Sequence, residues 1–188
     1  MDTIGEIKSP FDGIILPIEN IPDPVFAGKM VGDGFAIEPM SKTLKSPVNG
    51  EVILLHKALH AITLRTAEGL ELLIHIGIDT VNLKGEGFKA LVKQGDSVQI
   101  GTPLIELDLD FLAINAKSLV TPVIILNADQ FNKSEINKPF TFLKTGEEFF
   151  KISHIGPFEV KNSSSEKEVS KTIKLINPQG LHARPCAH

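Results

Sequence analysis

The length and composition of the chain favour one folded body with appendages and exclude several classes of protein. Its 188 residues are 42% hydrophobic, which is enough for a sizeable core. The net charge of −4 gives no sign of a nucleic-acid-binding surface, and no apolar run approaches the length that spans a bilayer. Because of this lack, we expect no membrane insertion. The single cysteine, Cys186, excludes an internal disulfide, so nothing indicates an oxidising compartment and we expect a cytoplasmic location.

Short apolar runs separated by glycine and proline follow one another along most of the chain. The 15 glycines, the 12 prolines and the lack of a long heptad pattern predict an all-β sandwich or barrel. The phrase SPFDG at 9–13 returns as SPVNG at 46–50, a weak repeat that fits a sheet built from duplicated turn-and-strand units. We also expect strands at 14–18 and 121–126, a short helix at 111–119 and a last strand near 145–152.

A hairpin is predicted where the apolar runs 60–65 and 70–76 flank a turn-like segment. If Ala67 and Glu68 form the loop, His60 lies directly opposite His75, and opposed side chains have Cβ atoms about 4.5–5.5 Å apart. A three- or five-residue loop would shift the register by one residue and separate the histidines. The pattern therefore predicts two imidazoles side by side.

Two adjacent imidazoles are suited to phosphoryl transfer. Neutral imidazole is a nitrogen nucleophile near pH 7, because its reference pKa is about 6.5, and the second ring can donate a hydrogen bond to the phosphoryl oxygens. Two other interpretations stay open at this point. The pair can be a half-buried polar contact without function, or two of the three or four ligands that zinc needs. Against zinc, no H-E-x-x-H occurs, and His56 and His154 lack ligand-like spacing to the pair.

The residues around His75 closely resemble the signature of a known family. The matching segments are 73–88 (LIHIGIDTVNLKGEGF), 22–27 (PDPVFA), 31–34 (VGDG) and 121–123 (TPV). They resemble the glucose-family enzyme IIA domain of the bacterial phosphoenolpyruvate-dependent sugar phosphotransferase system, over nearly all of residues 5–155. The resemblance implies an antiparallel β-sandwich with a shallow active depression. It also implies that His75 is phosphorylated and that His60 hydrogen-bonds the phosphoryl group.

The resemblance further implies the partners of the domain. HPr is the expected phosphoryl donor, the enzyme IIB domain of a sugar permease is the expected acceptor, and regulatory proteins are further expected targets. No cofactor is expected and no metal is required, although His60 and His75 can supply part of a zinc site shared with a partner. The positions that match the partner-docking rim of the family are Asp23, Phe26, Leu73, Asp79 and Val81.

Three positions depart from the family pattern. Ala58 stands where a hydroxyl residue commonly contributes to the hydrogen bonds of the site, so we expect that contact to be lost or replaced by water. His56 and Leu73 stand where the apolar rim often has phenylalanines, which indicates an altered partner preference.

The chain changes character after residue 160. The segment 161–171 reads as a flexible linker, because its first eight residues include no apolar side chain. GLHARP at 180–185 resembles the phosphorylation site of HPr, with His182 as the phosphorylated histidine. The 17 residues 172–188 are too few to form a core. We therefore expect an EIIA domain at 1–160 followed by the incomplete start of an HPr-like domain, as at the front of a multiphosphoryl transfer protein, and we expect no competent carrier at His182.

Two functions outside phosphoryl transfer remain as alternatives. The segment 92–101 (VKQGDSVQIG) has the turn-and-strand character of a biotinyl or lipoyl carrier domain, but Met40-Ser41-Lys42 is a poor match to the modified-lysine motif. In a purely regulatory binding module, the histidines would set the charge of a docking surface. His75→Ala would then alter partner binding without abolishing any transfer.

Overall fold

The computed structural model describes residues 3–135 and 139–155, and its regular secondary structure consists mainly of antiparallel β-strands. The strands of the described residues are β1 (Thr3–Lys8), β2 (Gly13–Pro17), β3 (Asp33–Pro39), β4 (Thr43–Lys45), β5 (Gly50–Leu55), β6 (Ala61–Arg65), β7 (Glu71–His75), β8 (Phe88–Ala90), β9 (Ser97–Val98), β10 (Pro103–Leu107), β11 (Thr121–Ile125), β12 (Phe131–Lys133), β13 (Phe142–Leu143) and β14 (Glu148–His154). The helices are α1 (Pro24–Ala27) and α2 (Leu109–Asn115), with 3-10 turns at Ile18–Asn20 and Thr80–Leu83.

The strands form one large sheet and two small ones. The large sheet has the order β13-β2-β3-β11-β7-β6-β5-β9, and the small sheets have the orders β1-β14-β12 and β4-β10-β8. The paired neighbours run antiparallel. The predicted all-β sandwich is therefore confirmed, whereas the barrel alternative is wrong, because the described sheets do not close.

Two hydrophobic clusters cover the faces of the large sheet. The main cluster contains most of the buried side chains, including those of Phe35, Leu72 and Val123. A smaller cluster consists of Ile18, Ile21, Ala36, Ile78 and Ile124. Because side chains alternate along a strand, neighbouring positions of β3 and β11 contribute to opposite clusters. The central strands are thus buried on both faces, and the smaller cluster supports the surface that carries the histidines.

The repeated SPxxG phrase forms two equivalent turns. The Ser9 hydroxyl donates to the carbonyl of Phe11, and the Ser46 hydroxyl donates to the carbonyl of Val48, both at 2.7 Å. Each segment also receives, on its proline carbonyl, a backbone N–H from the residue before the other segment's serine, at 3.0 Å in both cases. The turns lead into β2 and β5, so the predicted duplication of turn-and-strand units is confirmed.

The other predicted elements occur close to their expected places. β2, β11 and β14 cover the three expected strands to within a few residues. The helix α2 begins two residues earlier than expected and ends at Asn115, because Asp108 caps it by accepting a hydrogen bond from the Phe111 N–H at 3.0 Å. The predicted linker and HPr-like segment, with His182, lie outside the described residues.

In the part of the chain that the structure describes, no helix has the length and apolar character to cross a bilayer.

Candidate functional site

The hairpin that carries His75 differs from the predicted register by one residue. β6 pairs with β7 so that Ala61 lies opposite His75. At the turn, the Thr66 N–H donates to the Leu70 carbonyl at 3.0 Å, which leaves three residues in the loop. Gly69 has a φ of +85°, the left-handed conformation typical of such a loop. The predicted two-residue loop was therefore wrong.

The two predicted imidazoles nevertheless lie side by side. The ring centroids of His60 and His75 are 4.9 Å apart, with an interplanar angle of 72°. His60 precedes β6, so the alternation of strand faces does not determine its direction. Leu59 has a φ of +56°, and the Ile76 N–H donates to the His60 carbonyl at 2.7 Å. The bend at Leu59 compensates for the shifted register and brings the rings together.

His75 ends β7 with its ring oriented by a backbone carbonyl. Its Nδ1 lies 2.8 Å from the Gly77 oxygen, and because a carbonyl only accepts, Nδ1 carries the proton and Nε2 keeps its lone pair. Burial lowers the pKa of His75, while the bond to Gly77 and the charge of Asp23 oppose that shift. The ring is therefore neutral near pH 7, as a nitrogen nucleophile must be.

The backbone after His75 is shaped by a glycine. Gly77 has a φ of +69°, and a Cβ at this position would lie 2.9 Å from the Ser118 oxygen and 2.7 Å from the Thr80 methyl group. The Thr80 hydroxyl also donates to the Ile76 carbonyl at 2.6 Å. The carbonyl that orients His75 thus belongs to a tightly packed turn that admits only glycine.

His60 is buried and neutral. Its side chain is 5% exposed, and burial, followed by the charges of His75 and His56, lowers its pKa to about 4. The Nδ1 atom of His60 is buried without a hydrogen-bond partner among the described residues. Ala58 has no hydroxyl to offer to this atom, and the effect of alanine at this position stays a prediction.

A third histidine joins the pair. The ring of His56 lies 4.3 Å from that of His60, at an angle of 64°, and its Nδ1 accepts a hydrogen bond from the Ala58 N–H at 3.1 Å. The sequence placed His56 on the rim and gave it no ligand-like spacing to the pair. The overlooked signal is that His56 and His60 are the ends of the short connection between β5 and β6.

Of the predicted apolar rim residues, Phe26 contacts the histidine pair directly. The ring of Phe26 lies 5.1 Å from that of His75. Phe26 and Leu73 both pack against the smaller hydrophobic cluster, and Val81 is 45% exposed. The structure thus shows one apolar rim side chain, Phe26, against the ring of His75.

Of the two predicted acidic residues, Asp23 has a defined structural role. The Asp23 carboxylate caps α1 by accepting hydrogen bonds from the N–H groups of Val25 and Phe26, at 2.8 and 3.3 Å. Asp79 is exposed at the start of the 3-10 turn, with a φ of +61°. Between His75 and Asp79, Gly77 has a positive φ of +69°.

The histidines do not form a complete metal site. Among the described residues, no group of three or more histidine, cysteine, aspartate or glutamate side chains has the geometry to hold a metal ion. His60 and His75 together supply two ligands, which is fewer than zinc needs. A zinc ion shared with a partner remains a prediction.

Comparison with known proteins supplies the family. The family described as the phosphoenolpyruvate-dependent sugar phosphotransferase system, EIIA 1, matches residues 5–131. The chain belongs to this EIIA family. Such components are phosphotransferases that move a phosphoryl group through a histidine, and the chain is accordingly a phosphoryl carrier of that system.

Individual relatives agree with this assignment. The EIIA domain is 47% identical over 141 residues to the PTS system glucose-specific EIIA component of Halalkalibacterium halodurans, covering 75% of this chain and 81% of the relative. It is 51% identical over 124 residues to the component of that name from Staphylococcus aureus, covering 66% and 75%. The solved structure of glucose permease IIA from Mycoplasma capricolum matches with a TM-score of 0.70 at 34% identity, over 78% of this chain and 94% of that one.

Proposed function

We propose that His75 accepts the phosphoryl group from phospho-HPr and passes it to the enzyme IIB domain of a glucose permease. One observation carries this proposal: the hydrogen bond between His75 Nδ1 and the Gly77 carbonyl leaves Nε2 as a free nucleophile. The acceptor follows from relatives that are named glucose-specific. We also propose a cytoplasmic location for this chain, as expected from its sequence.

The transfer exchanges one phosphorus–nitrogen bond for another. The lone pair of His75 Nε2 attacks phosphorus in line, while the bond from phosphorus to the imidazole of HPr breaks and its electron pair returns to that ring. The phosphorylated ring of His75 keeps its proton on Nδ1 and gains positive character. The Gly77 oxygen, at 2.8 Å, stabilises that charge. No general base is required.

We assign to His60 the role of a hydrogen-bond donor to the phosphoryl group. A neutral imidazole has one N–H, and burying an unpaired N–H costs more than burying an unpaired lone pair. Because Nδ1 of His60 is buried without a partner, the proton is favoured on Nε2. The ring is 4.9 Å from that of His75, close enough for an N–H to reach a phosphoryl oxygen.

The rim serves docking in this proposal. Half-buried and exposed apolar groups beside a polar centre are typical of a protein interface, and in this proposal Phe26, Leu73 and Val81 are the apolar contacts. Asp23 and Asp79 supply negative charge that would attract the basic faces of HPr and IIB. Regulatory proteins that distinguish the phosphorylated from the free form would use the same face.

Phosphorylation with enzyme I, HPr and radiolabelled phosphoenolpyruvate tests the nucleophile. We expect an acid-labile, base-stable label on the full chain, lost in His75→Gln and retained in His60→Gln, whose onward transfer to IIB falls to a small but measurable residual rate. Glu68→Gln, at the exposed far end of the hairpin, is the control. Label that survives His75→Gln contradicts the assignment.

The C-terminal motif needs its own arm of this experiment. We keep the proposal that residues 172–188 resemble the start of HPr and that His182 carries little phosphoryl group in this chain. His182→Ala should leave the label unchanged. Loss of label in that variant, or a transfer rate at His182 close to that of intact HPr, would overturn it.

A further inference from the structure

We propose that His56 is a positioning residue that holds the ring of His60 for onward phosphoryl transfer. The inference deepens the proposed function and rests on it. It assigns to His56, which the sequence placed on the docking rim, a role in the reaction itself.

The polar restraint on the His60 ring is weaker than the one that orients His75, because the Ala58 backbone opposes the fall in the His60 pKa only as the smallest of its influences. His75 is fixed by its bond to the Gly77 carbonyl, whereas the buried Nδ1 of His60 has no partner among the described residues. A ring without such a bond is oriented by its packing. Two rings contact that of His60: the ring of His75, with centroids 4.9 Å apart, and the ring of His56, with centroids 4.3 Å apart. The nearer of the two contacts is therefore made by His56.

His56 is itself held firmly enough to act as a support. Its backbone N–H donates to the Ala61 carbonyl at 2.9 Å, and its carbonyl accepts from the Leu59 N–H at 2.8 Å. Its Nδ1 accepts from the Ala58 N–H at 3.1 Å. The ring is thus tied to the same turn whose bend at Leu59 directs His60 toward the nucleophile.

The arrangement places the support outside the reaction centre. His56 is exposed while His60 is buried, so His56 packs on His60 from the side that solvent reaches. Its edge-on contact at 64° needs a flat ring more than a nitrogen atom. Phenylalanine can make the same contact, whereas alanine leaves His60 free to rotate. A misplaced donor slows a transfer reaction by one to two orders of magnitude.

Steady-state transfer from the phosphorylated chain to a purified IIB domain of a glucose permease tests the inference. In His56→Ala we expect kcat to fall about tenfold with KM within about twofold of wild type, because the loss concerns the transition state. His56→Phe should recover most of the rate. Glu68→Ala, at the far end of the hairpin, controls for an exposed substitution. A raised KM with unchanged kcat would instead assign His56 to docking and overturn the inference.

A double variant separates positioning from an independent effect. If His56 acts through His60, adding His56→Ala to His60→Gln should lower the transfer rate no further. An additional tenfold loss in the double variant contradicts the inference. The imidazole nitrogen resonances of His60 give a second readout, since they should shift in His56→Ala and stay near their wild-type positions in His56→Phe.

The two proposals fail in different ways. Absence of label on the wild-type chain removes the proposed function, and this inference with it. A labelled His56→Ala variant that transfers to IIB at the wild-type rate overturns the role of His56 alone and leaves the role of His75 intact.

Discussion

Burial of the His60 ring makes the free energy of unfolding depend on pH. The pKa of His60 is about 4 in the folded chain, whereas a free imidazole has a pKa of about 6.5. Between these values the unfolded chain binds more protons than the folded one, so the free energy of unfolding falls as the pH drops. The lowered pKa of His75 acts in the same direction.

The resulting prediction concerns acid stability. From pH 7 to about pH 4.5 we expect the chain to lose about 1–3 kcal/mol of unfolding free energy through His60. His60→Gln, which cannot take up a proton, should show a shallower loss. Urea unfolding followed at several pH values measures both curves. Parallel curves for wild type and His60→Gln would mean that burial of this ring does not drive the acid sensitivity.

A second prediction uses the unpartnered Nδ1 of His60. Ala58→Thr adds a hydroxyl near this atom, and Ala58→Val adds the same volume without one. We expect the threonine variant to have the higher free energy of unfolding by about 1 kcal/mol, the usual net value of one hydrogen bond. Thermal or urea unfolding of the pair measures the difference. Equal stability of the two variants would show that the added hydroxyl does not reach His60.

The residue types of the site were predictable from the sequence, but some of their contacts were not. The adjacency of His60 and His75 was predicted correctly from a register that was wrong by one residue. The contact depends on the positive φ of Leu59, and leucine gives no sequence signal for that conformation. The contact of His56 with the pair was not predicted for the same reason, since it depends on the same bend in the connection between β5 and β6.

At the scale of elements, loop chemistry decided the hairpin register. A two-residue loop and a three-residue loop both fit TAEGL, and a glycine favours either type depending on its place in the loop. In the structure Gly69 takes the left-handed position of the longer loop. A local side chain also decided where α2 begins. The N-cap Asp108 starts the helix at Leu109, whereas the sequence had predicted a start at residue 111.

Gly69, in the loop before β7, and Gly77, in the turn after it, should differ in how much an alanine substitution destabilises the fold. Gly77→Ala and Gly69→Ala both place a side chain at positive φ, but only the first also forces a Cβ against a backbone oxygen. We expect Gly69→Ala to cost about 1 kcal/mol and Gly77→Ala clearly more, about 2–4 kcal/mol.

The same pair should differ in activity. Gly77→Ala displaces the carbonyl that orients His75, so its phosphorylation by HPr should slow, while Gly69→Ala should phosphorylate normally. Unfolding curves and labelling rates measured together separate the two effects. Similar losses for both variants would show that backbone strain alone, and not the packing of Gly77, limits the turn.

At the scale of the whole molecule, the duplicated turns organise the ends of the large sheet. The Asp12 carboxylate accepts from the Thr145 N–H at 2.7 Å, and the equivalent Asn49 side chain accepts from the Ile100 N–H at 2.8 Å. These turns adjoin β2 and β5, whose edge partners are β13 and β9. The repeated SPxxG motif allowed the duplication to be predicted from the sequence. The edge strands β13 and β9 share no such motif, so their pairing with β2 and β5 was not predicted.

The last prediction compares these two anchors. Asp12 also accepts from the Thr145 hydroxyl at 2.8 Å, and its bonds to the Thr145 backbone and side chain lower its pKa. Charge-assisted hydrogen bonds are worth about twice neutral ones. Asp12→Ala should therefore cost about 2–3 kcal/mol at pH 7, and Asn49→Ala about 1 kcal/mol.

A matched substitution identifies the cause. Asp12→Asn keeps an acceptor and makes the turn resemble its partner, so its unfolding free energy should lie between those of wild type and Asp12→Ala. Because a lowered carboxylate pKa stabilises the fold only while the group is ionised, the advantage of aspartate over asparagine should shrink as the pH falls below about 4. An advantage that persists in acid would show that shape, and not charge, makes Asp12 the stronger anchor of the two turns.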